Sequence, residues 1–410
     1  MHLRFSLLAA ALLGALPGGA TNAADWPQFL GPARNGIADA SEKNLPEAFD
    51  AEPKVLWEKP LGSGHAGPAV VGGKVIVFHR EGGDSVVEAL DAATGKGVWR
   101  TAFPTAYRDS FGMDEGPRAT PAVSEGRVYV HGADGVLTAL ALADGKQLWQ
   151  VDTVKDFESP QGFFGRACAP LVQGGLVIIT PGGPGGKAVA AFDAQTGALK
   201  WASAEDEASY SSPVMTSPAV LTCWLRNHLT TLNPGTGKVF GHEYLRPDME
   251  ASVSAGTPIL TDHGWFLSAE YGVGSSLWDI GPDGSLKMTW SSADGVNSHY
   301  ATPVYHHGHI YGFDGRQESG QTLRCWNTST HEVKWNSPRV KGGTVLLVKD
   351  KLIVVTESGE LWIVPASPAK FDQLTTVQIM RSGHRGHTAY SDGVLFARDA
   401  EKLVGVSLAH

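Results

Sequence analysis

Short apolar runs, rich in β-branched and aromatic residues, alternate along this chain with turns containing Gly or Asp. After residue 24 no stretch sustains the 3.6-residue period of an amphipathic helix. The runs come in sets of four. Between residues 120 and 151 the pattern predicts strands at 120–124, 127–132, 136–142 and 146–151. Glu125-Gly126, Asp134-Gly135 and Asp144-Gly145 stand between them, and such pairs supply the positive φ that tight hairpins need.

The set repeats. One phrase, Asp or Asn followed by Thr-Gly or Asp-Gly and then an aromatic, reads Asp91-Ala92-Ala93-Thr94-Gly95 before Trp99. It returns at Asp144-Gly145 before Trp149, Asp193–Gly197 before Trp201 and Asn233–Gly237 before Phe240. Weaker copies precede Trp290 and Trp335, and a seventh is worn down to 371–379. Upstream of each copy a proline opens an apolar strand, at Pro68, Pro121, Pro170, Pro213, Pro258 and Pro303. Val345 and Ala389 occupy the last two equivalent places. Proline at the first residue of a strand forfeits no ladder bond, so its fixed place is physically sensible. Four strands in about 40–50 residues is the length of a propeller blade.

The eighth unit, 388–408, holds only three strands, whereas 54–59 is an orphan strand carrying its own Trp57. The expected fold is therefore all-β: an eight-bladed propeller of four-stranded antiparallel blades, its last blade closed by the N-terminal strand. Closure of that kind leaves no open sheet edge between first and last blades. Trp57, Trp99, Trp149, Trp201, Phe240, Trp290 and Trp335 fall at equivalent outer-strand positions and are expected to pack between blades.

Composition fits this reading. The 410 residues include 50 glycines, and only 18% are charged, below the usual ~25%. A net charge of −9 without any Lys/Arg cluster argues against nucleic acid as a partner. Residues 1–24 have a basic start, an apolar run from Phe5 to Leu16 and small residues up to Ala23 and Ala24. That layout predicts a secretory leader cleaved near Ala23 or Ala24, and a periplasmic or secreted product. No cysteine lies there to carry a lipid anchor, and no later run is long enough to span a membrane. The expected organisation is a leader (1–24), an extension (25–53) and one propeller (54–410).

The Asp-x-x-Thr-Gly-x-x-x-Trp phrase resembles the repeat of PQQ-like β-propellers, a family of quinoprotein dehydrogenases and BamB-like envelope scaffolds. Asp25-Trp26-Pro27-Gln28-Phe29-Leu30-Gly31-Pro32, Gly116–Pro121 and Tyr311–Arg316 resemble segments of its secreted, uncharacterised bacterial members. The resemblance covers about 55–408. It implies the fold, but one fold hosts both enzymes and scaffolds. Quinoproteins of this family hold PQQ under a disulfide of adjacent cysteines, with calcium on carboxylate and amide oxygens. Cys168, Cys223 and Cys325 are far apart in sequence, and no matching ligand motif is found. No cofactor is expected, PQQ and calcium belonging only to the alternative of a quinoprotein-like enzyme.

Residues just ahead of each innermost strand must converge on one mouth of the channel. They include His65, Arg118, Arg166, Tyr210, Ser254, His299, Tyr300 and His387, fed by two long loops, 100–117 and 150–166. Clustered basic, imidazole and phenol groups there suggest a site for anionic or hydroxyl-rich groups near Arg118 and Arg166. The alternative is that they only fill and solvate the channel. His306-His307-Gly308-His309 falls in a hairpin turn without acidic partners and is read as a solvated turn rather than a metal site. The expected protein is a non-enzymatic monomer that binds a protein, small molecule or glycan at its mouth.

Overall fold

The computed structural model describes residues 25–40, 42, 45–46, 52–246, 249 and 252–408; the expected leader lies outside them. Eight four-stranded antiparallel sheets form a ring. Blades 1 to 7 span 69–104, 122–152, 171–203, 214–244, 259–292, 304–336 and 343–378. Blade 8 combines three strands within 389–407 with Lys54–Pro60 as its outermost strand. That strand pairs from Lys54 against Ser407 to Pro60 against Lys402, so the first and last strands meet in one sheet. The inner strand Ala69–Val71 touches its counterparts in blades 8 and 2, which closes the ring. Beside these strands the described residues hold one five-residue helix, Thr153–Phe157, and a single 3-10 turn, Gln317–Ser319.

The repeated phrase is explained by its contacts. Asp91 Oδ1 accepts from both the backbone N–H (2.9 Å) and the hydroxyl (2.6 Å) of Thr94, and Asp193 and Asn233 do the same for Thr196 and Thr236. These bonds shape the turn so that its glycine meets the aromatic of the preceding blade. A Cβ on Gly145 would stand 2.4 Å from the Trp99 ring, and one on Gly197 2.7 Å from Trp149. Indole N–H groups then bridge to the next blade: Trp57 to Ala92 O (2.9 Å), Trp99 to Leu142 O (2.9 Å), Trp149 to Ala194 O (3.1 Å), Trp201 to Pro234 O (3.0 Å) and Trp335 to Ser367 O (2.8 Å). In blade 6 His331 takes the glycine's place and stacks on Trp290, centroids 4.5 Å apart. Trp57, Trp99, Trp149, Trp201 and Trp335 thus each satisfy their one polar atom across a blade boundary.

The segment from Asp25 to Ala38 adds to the core of the ring. Trp26 bridges to Val70 of blade 1, Pro27 O accepts from Val123 of blade 2, and Ile37 bridges to Leu347 of blade 7. Buried Arg34 donates to Pro170 O (3.0 Å) and Ala169 O (3.2 Å) of blade 3. The segment starts at the end of the channel where the inner strands turn, with Gly72 N–H bonded to Asp25. From there it climbs to Phe29, whose ring meets His387 edge-on at 5.1 Å.

Candidate functional site

At the other end of the channel, where the inner strands begin, a cavity of about 230 Å³ opens. Of the residues predicted to converge there, His65, Arg118, Tyr210, His299, Tyr300 and His387 line it. Arg166 does not. Its guanidinium is buried and spent on Ser159 O (2.8 Å), Ser159 Oγ (2.5 Å), Pro160 O (2.6 Å) and Gln161 O (3.3 Å), so it shapes its own loop.

The rim is built from the two long loops. Asp109 accepts from the N–H groups of Phe111 (3.2 Å), Met113 (2.8 Å) and Asp114 (2.9 Å), which folds the first loop over itself. Phe111 then meets Phe163 and Phe164 of the second loop, with centroids at 5.8 and 5.2 Å. Tyr210 Oη accepts from Phe164 N–H at 3.0 Å and pins that loop. Arg118 donates to Gly116 O (3.1 Å) and Asp114 O (2.8 Å), approaches Asp109 at 3.6 Å and lies over the Tyr107 ring.

Below the rim a belt of hydroxyls ties neighbouring blades together. Ala169 N–H donates to Ser212 Oγ (2.9 Å), Ser212 N–H to Thr257 Oγ1 (3.2 Å) and Thr257 N–H to Thr302 Oγ1 (3.0 Å). The next acceptor is His387 Nε2, at 3.2 Å from Thr302 N, which reaches past blade 7, where Thr344 and Val345 stand at the Thr-Pro position. The sequence signal for this belt is the Ser or Thr before Pro121, Pro213, Pro258 and Pro303, whereas Gly67 and Ala169 precede Pro68 and Pro170. Tyr271, Gln317, Arg385 and Phe29, which stand outside the repeat register ahead of the inner strands, also line the cavity. Tyr271 and Gln317 sit in turns inside blades 5 and 6 rather than ahead of an inner strand.

Charges at the mouth are arranged in pairs. Arg385 meets Glu357 at 3.3 Å, and Glu357 also accepts from Gln317 Nε2 at 2.7 Å. Arg316 holds Glu318 through two contacts of 3.2 Å and lies over Tyr271, whose hydroxyl bonds His299 Nε2 at 2.7 Å. Burial pushes His65 down to about 4 and His387 to about 3, and lowers His299 as well. The imidazoles are neutral at pH 7.

Two further histidines in the ring carry a pH prediction. His384 bonds Arg398 O (2.8 Å) and Thr344 Oγ1 (2.8 Å), and His131 approaches Cys168 O at 3.3 Å. Burial lowers both to about 4, against about 6.5 in an unfolded chain. As pH falls the unfolded chain takes up these protons first, so stability is complete above 6.5 and is lost progressively towards 4. Guanidinium midpoints measured from pH 7.5 to 4 should fall over that window, less steeply in His384→Gln. A midpoint independent of pH would refute the assignment.

The cavity lining offers, among the described residues, one carboxylate for a calcium ion, Glu318, and it is paired with Arg316. Among the described residues the one group of three potential metal ligands is His79, Glu81 and Glu88, and none of them lines the cavity. Lys59 (3.3 Å) and Arg100 (3.7 Å) already neutralise Glu88, and His79 Nδ1 accepts from Gly62 N–H. Cys168, Cys223 and Cys325 are each buried and free, on or beside blades 3, 4 and 6.

Comparison with known proteins gives a consistent picture. The family model described as "Outer membrane protein assembly factor BamB" matches residues 42–162 and 83–337. The chain is similar to the protein of that name from Burkholderia pseudomallei, 35% identical over 150 residues, covering 36% of this chain and 32% of the relative. It is also similar to the quinohemoprotein alcohol dehydrogenase of Comamonas testosteroni, 36% identical over 141 residues, covering 33% of this chain and 19% of that one. These matches span about a third and a fifth of the two relatives' lengths. The crystal structure of BamB from Moraxella catarrhalis superposes with a TM-score of 0.65 at 14% identity, over 87% of this chain and 98% of that one.

Proposed function

The chain belongs to the PQQ-like repeat β-propeller family described by the BamB model, and from that premise we propose that it is a non-enzymatic binding scaffold of the cell envelope. On this reading it is periplasmic or secreted, acts as a monomer without a cofactor, and engages its ligand or partner at the channel mouth. The observation that carries the reading is the cavity itself. Phe164 lines it, backed by Phe111, which also meets Phe163; Phe29 makes its floor, and hydrogen-bonding side chains from several blades surround one opening. Support for a scaffold over a quinoprotein comes from the donor set. No carboxylate cluster faces the cavity among the described residues, and its cations are already paired.

The test is capture from envelope extract with the full chain and with Arg118→Ala and His299→Ala. A protein or glycan retained by the parent chain should be depleted at least tenfold on both variants. Equal retention by all three would remove the mouth as the site. Stoichiometric uptake of PQQ with Ca²⁺, accompanied by dye-linked alcohol oxidation, would overturn the non-enzymatic reading.

A further inference from the structure

We propose that the mouth cavity takes an uncharged, polyhydroxylated ligand, a sugar ring, bound with its hydroxyl edge towards blades 8 and 1 and its C–H face on blades 3 to 5. The proposal rests on the mouth being the binding site and names the class of ligand it accepts.

Charge gives the first argument. Arg118 is occupied by two carbonyls and Asp109, Arg385 by Glu357, and Glu318 by Arg316. A ligand with net charge would have to compete with one of these pairs. The imidazoles add no positive charge, because burial keeps them neutral.

The second argument concerns what is left unfilled. His65 lines the cavity, and no hydrogen bond joins its ring to another described residue. His387 Nε2 accepts from Thr302 N–H, so the ring proton sits on Nδ1, which has no protein acceptor. Gln317 gives its amide N–H to Glu357 and keeps its carbonyl oxygen free. Neutral imidazole offers one donor and one acceptor, and an amide oxygen only accepts. A mixed set of this kind suits hydroxyls, which both donate and accept, better than a carboxylate or phosphate, which at neutral pH chiefly accepts.

Ring order supplies the third argument. His65, Arg385 and His387 come from the loops entering blades 1 and 8, whereas Phe164, Ala167, Val253 and Ala255 come from those entering blades 3 and 5, across the channel. One wall therefore carries imidazole and guanidinium groups, and the facing wall is apolar apart from Tyr210 and Ser212 ahead of blade 4 and Tyr271 of blade 5, over the aromatic floor of Phe29. A sugar ring has that same division, with hydroxyls at its edge and C–H groups on its face, and a cavity of about 230 Å³ suits a ligand of this size.

The experiment is calorimetric titration of the full chain at pH 7 with two sets of probes. The neutral set is glucose, N-acetylglucosamine, cellobiose and N,N′-diacetylchitobiose; the anionic set is glucuronate, N-acetylneuraminate and inorganic phosphate. A neutral sugar should bind at least tenfold more tightly than any anion, with affinity unchanged between 50 and 500 mM salt. His65→Ala should weaken it about tenfold. Because that ring bonds no described residue, the variant should melt as the parent does. Phe164→Trp, which fills the apolar wall, should abolish binding. Tighter binding of an anion, lost in Phe164→Trp, would overturn the ligand class and leave the mouth as the site. Sugar binding untouched by both variants would overturn the mouth as well. Absence of binding by every probe would overturn the proposal while leaving partner capture through Arg118 and His299 as a separate result.

Discussion

Trp149→Ala should cost the protein roughly 3–5 kcal/mol, the loss usual for a buried large aromatic. Trp149 stands on the outer strand of blade 2, only 8% exposed, and its role lies across the boundary to blade 3. Its indole N–H donates to Ala194 O, an oxygen that also accepts from Tyr129 Oη at 3.1 Å. The ring lies on Gly197, where φ is +73° and a Cβ would stand 2.7 Å away. Truncation therefore opens a void between blades, removes one bond to Ala194 and frees the Gly197 turn from its contact. Chemical denaturation monitored by circular dichroism measures the effect. A loss below about 1 kcal/mol would show that the aromatic does not latch the blades. Gly197→Val should be comparably severe from the other side of the contact, since it adds both a clash and a residue unsuited to positive φ.

The same contact explains why so much of the fold was legible. Asp-x-x-Thr-Gly followed by Trp is not only a turn signal. It encodes a turn stabilised within one blade and a ring that docks on that turn from the preceding blade. Both halves must recur for a ring to close, so the repeat carries tertiary information that ordinary strand patterns lack. His331 shows the tolerance of the rule: the glycine is gone, but an imidazole stacked on Trp290 keeps the aromatic covered. The orphan strand at Lys54–Pro60 was legible for the same reason, its Trp57 lying one repeat ahead of Trp99.

The mouth was harder to read. Register placed His65, Arg118, Tyr210, His299, Tyr300 and His387 around it, because equivalent positions in a ring share one radius and one height. Register says nothing of where a long side chain turns, and Arg166 turns back onto the carbonyls of Ser159 and Pro160. Nor does it reach Tyr271 and Gln317, which come from turns within blades that repeat only loosely. Phe29 was out of reach for a third reason. Its segment belongs to no repeat, and its place in the channel is fixed by long-range contacts of Trp26, Arg34 and Ile37 with blades 1, 3 and 7.

Closure of the ring yields the other large effect. Deleting residues 25–60 should abolish the folded monomer, whereas deleting 25–53 should leave a closed ring with reduced stability. The longer deletion removes Lys54–Pro60 from the edge of Lys402–Ser407. It also removes Trp57, which donates to Ala92 O at 2.9 Å and packs on Phe396 at 5.9 Å. Loss of that ring alone costs about 3–5 kcal/mol, and each ladder bond adds about 1 kcal/mol. Together these approach the whole ~5–15 kcal/mol stability of a typical folded domain. The exposed edge would in addition offer a template for pairing with another chain. Light scattering with size-exclusion chromatography should find aggregated or unfolded protein for the 25–60 deletion and monomer for the 25–53 deletion. A synthetic peptide of residues 52–61 should restore soluble monomer to the former by strand addition, with Trp57 re-entering its place against Gly95 and Gly405. Equal melting temperatures for parent and 25–60 deletion would mean that blade 8 holds without its fourth strand. The seam between first and last blades would then rest on the inner-strand contacts of Ala69–Val71 with blade 8 and on the mouth, where Gly67 passes so close to His387 O that a Cβ would lie 2.1 Å from it.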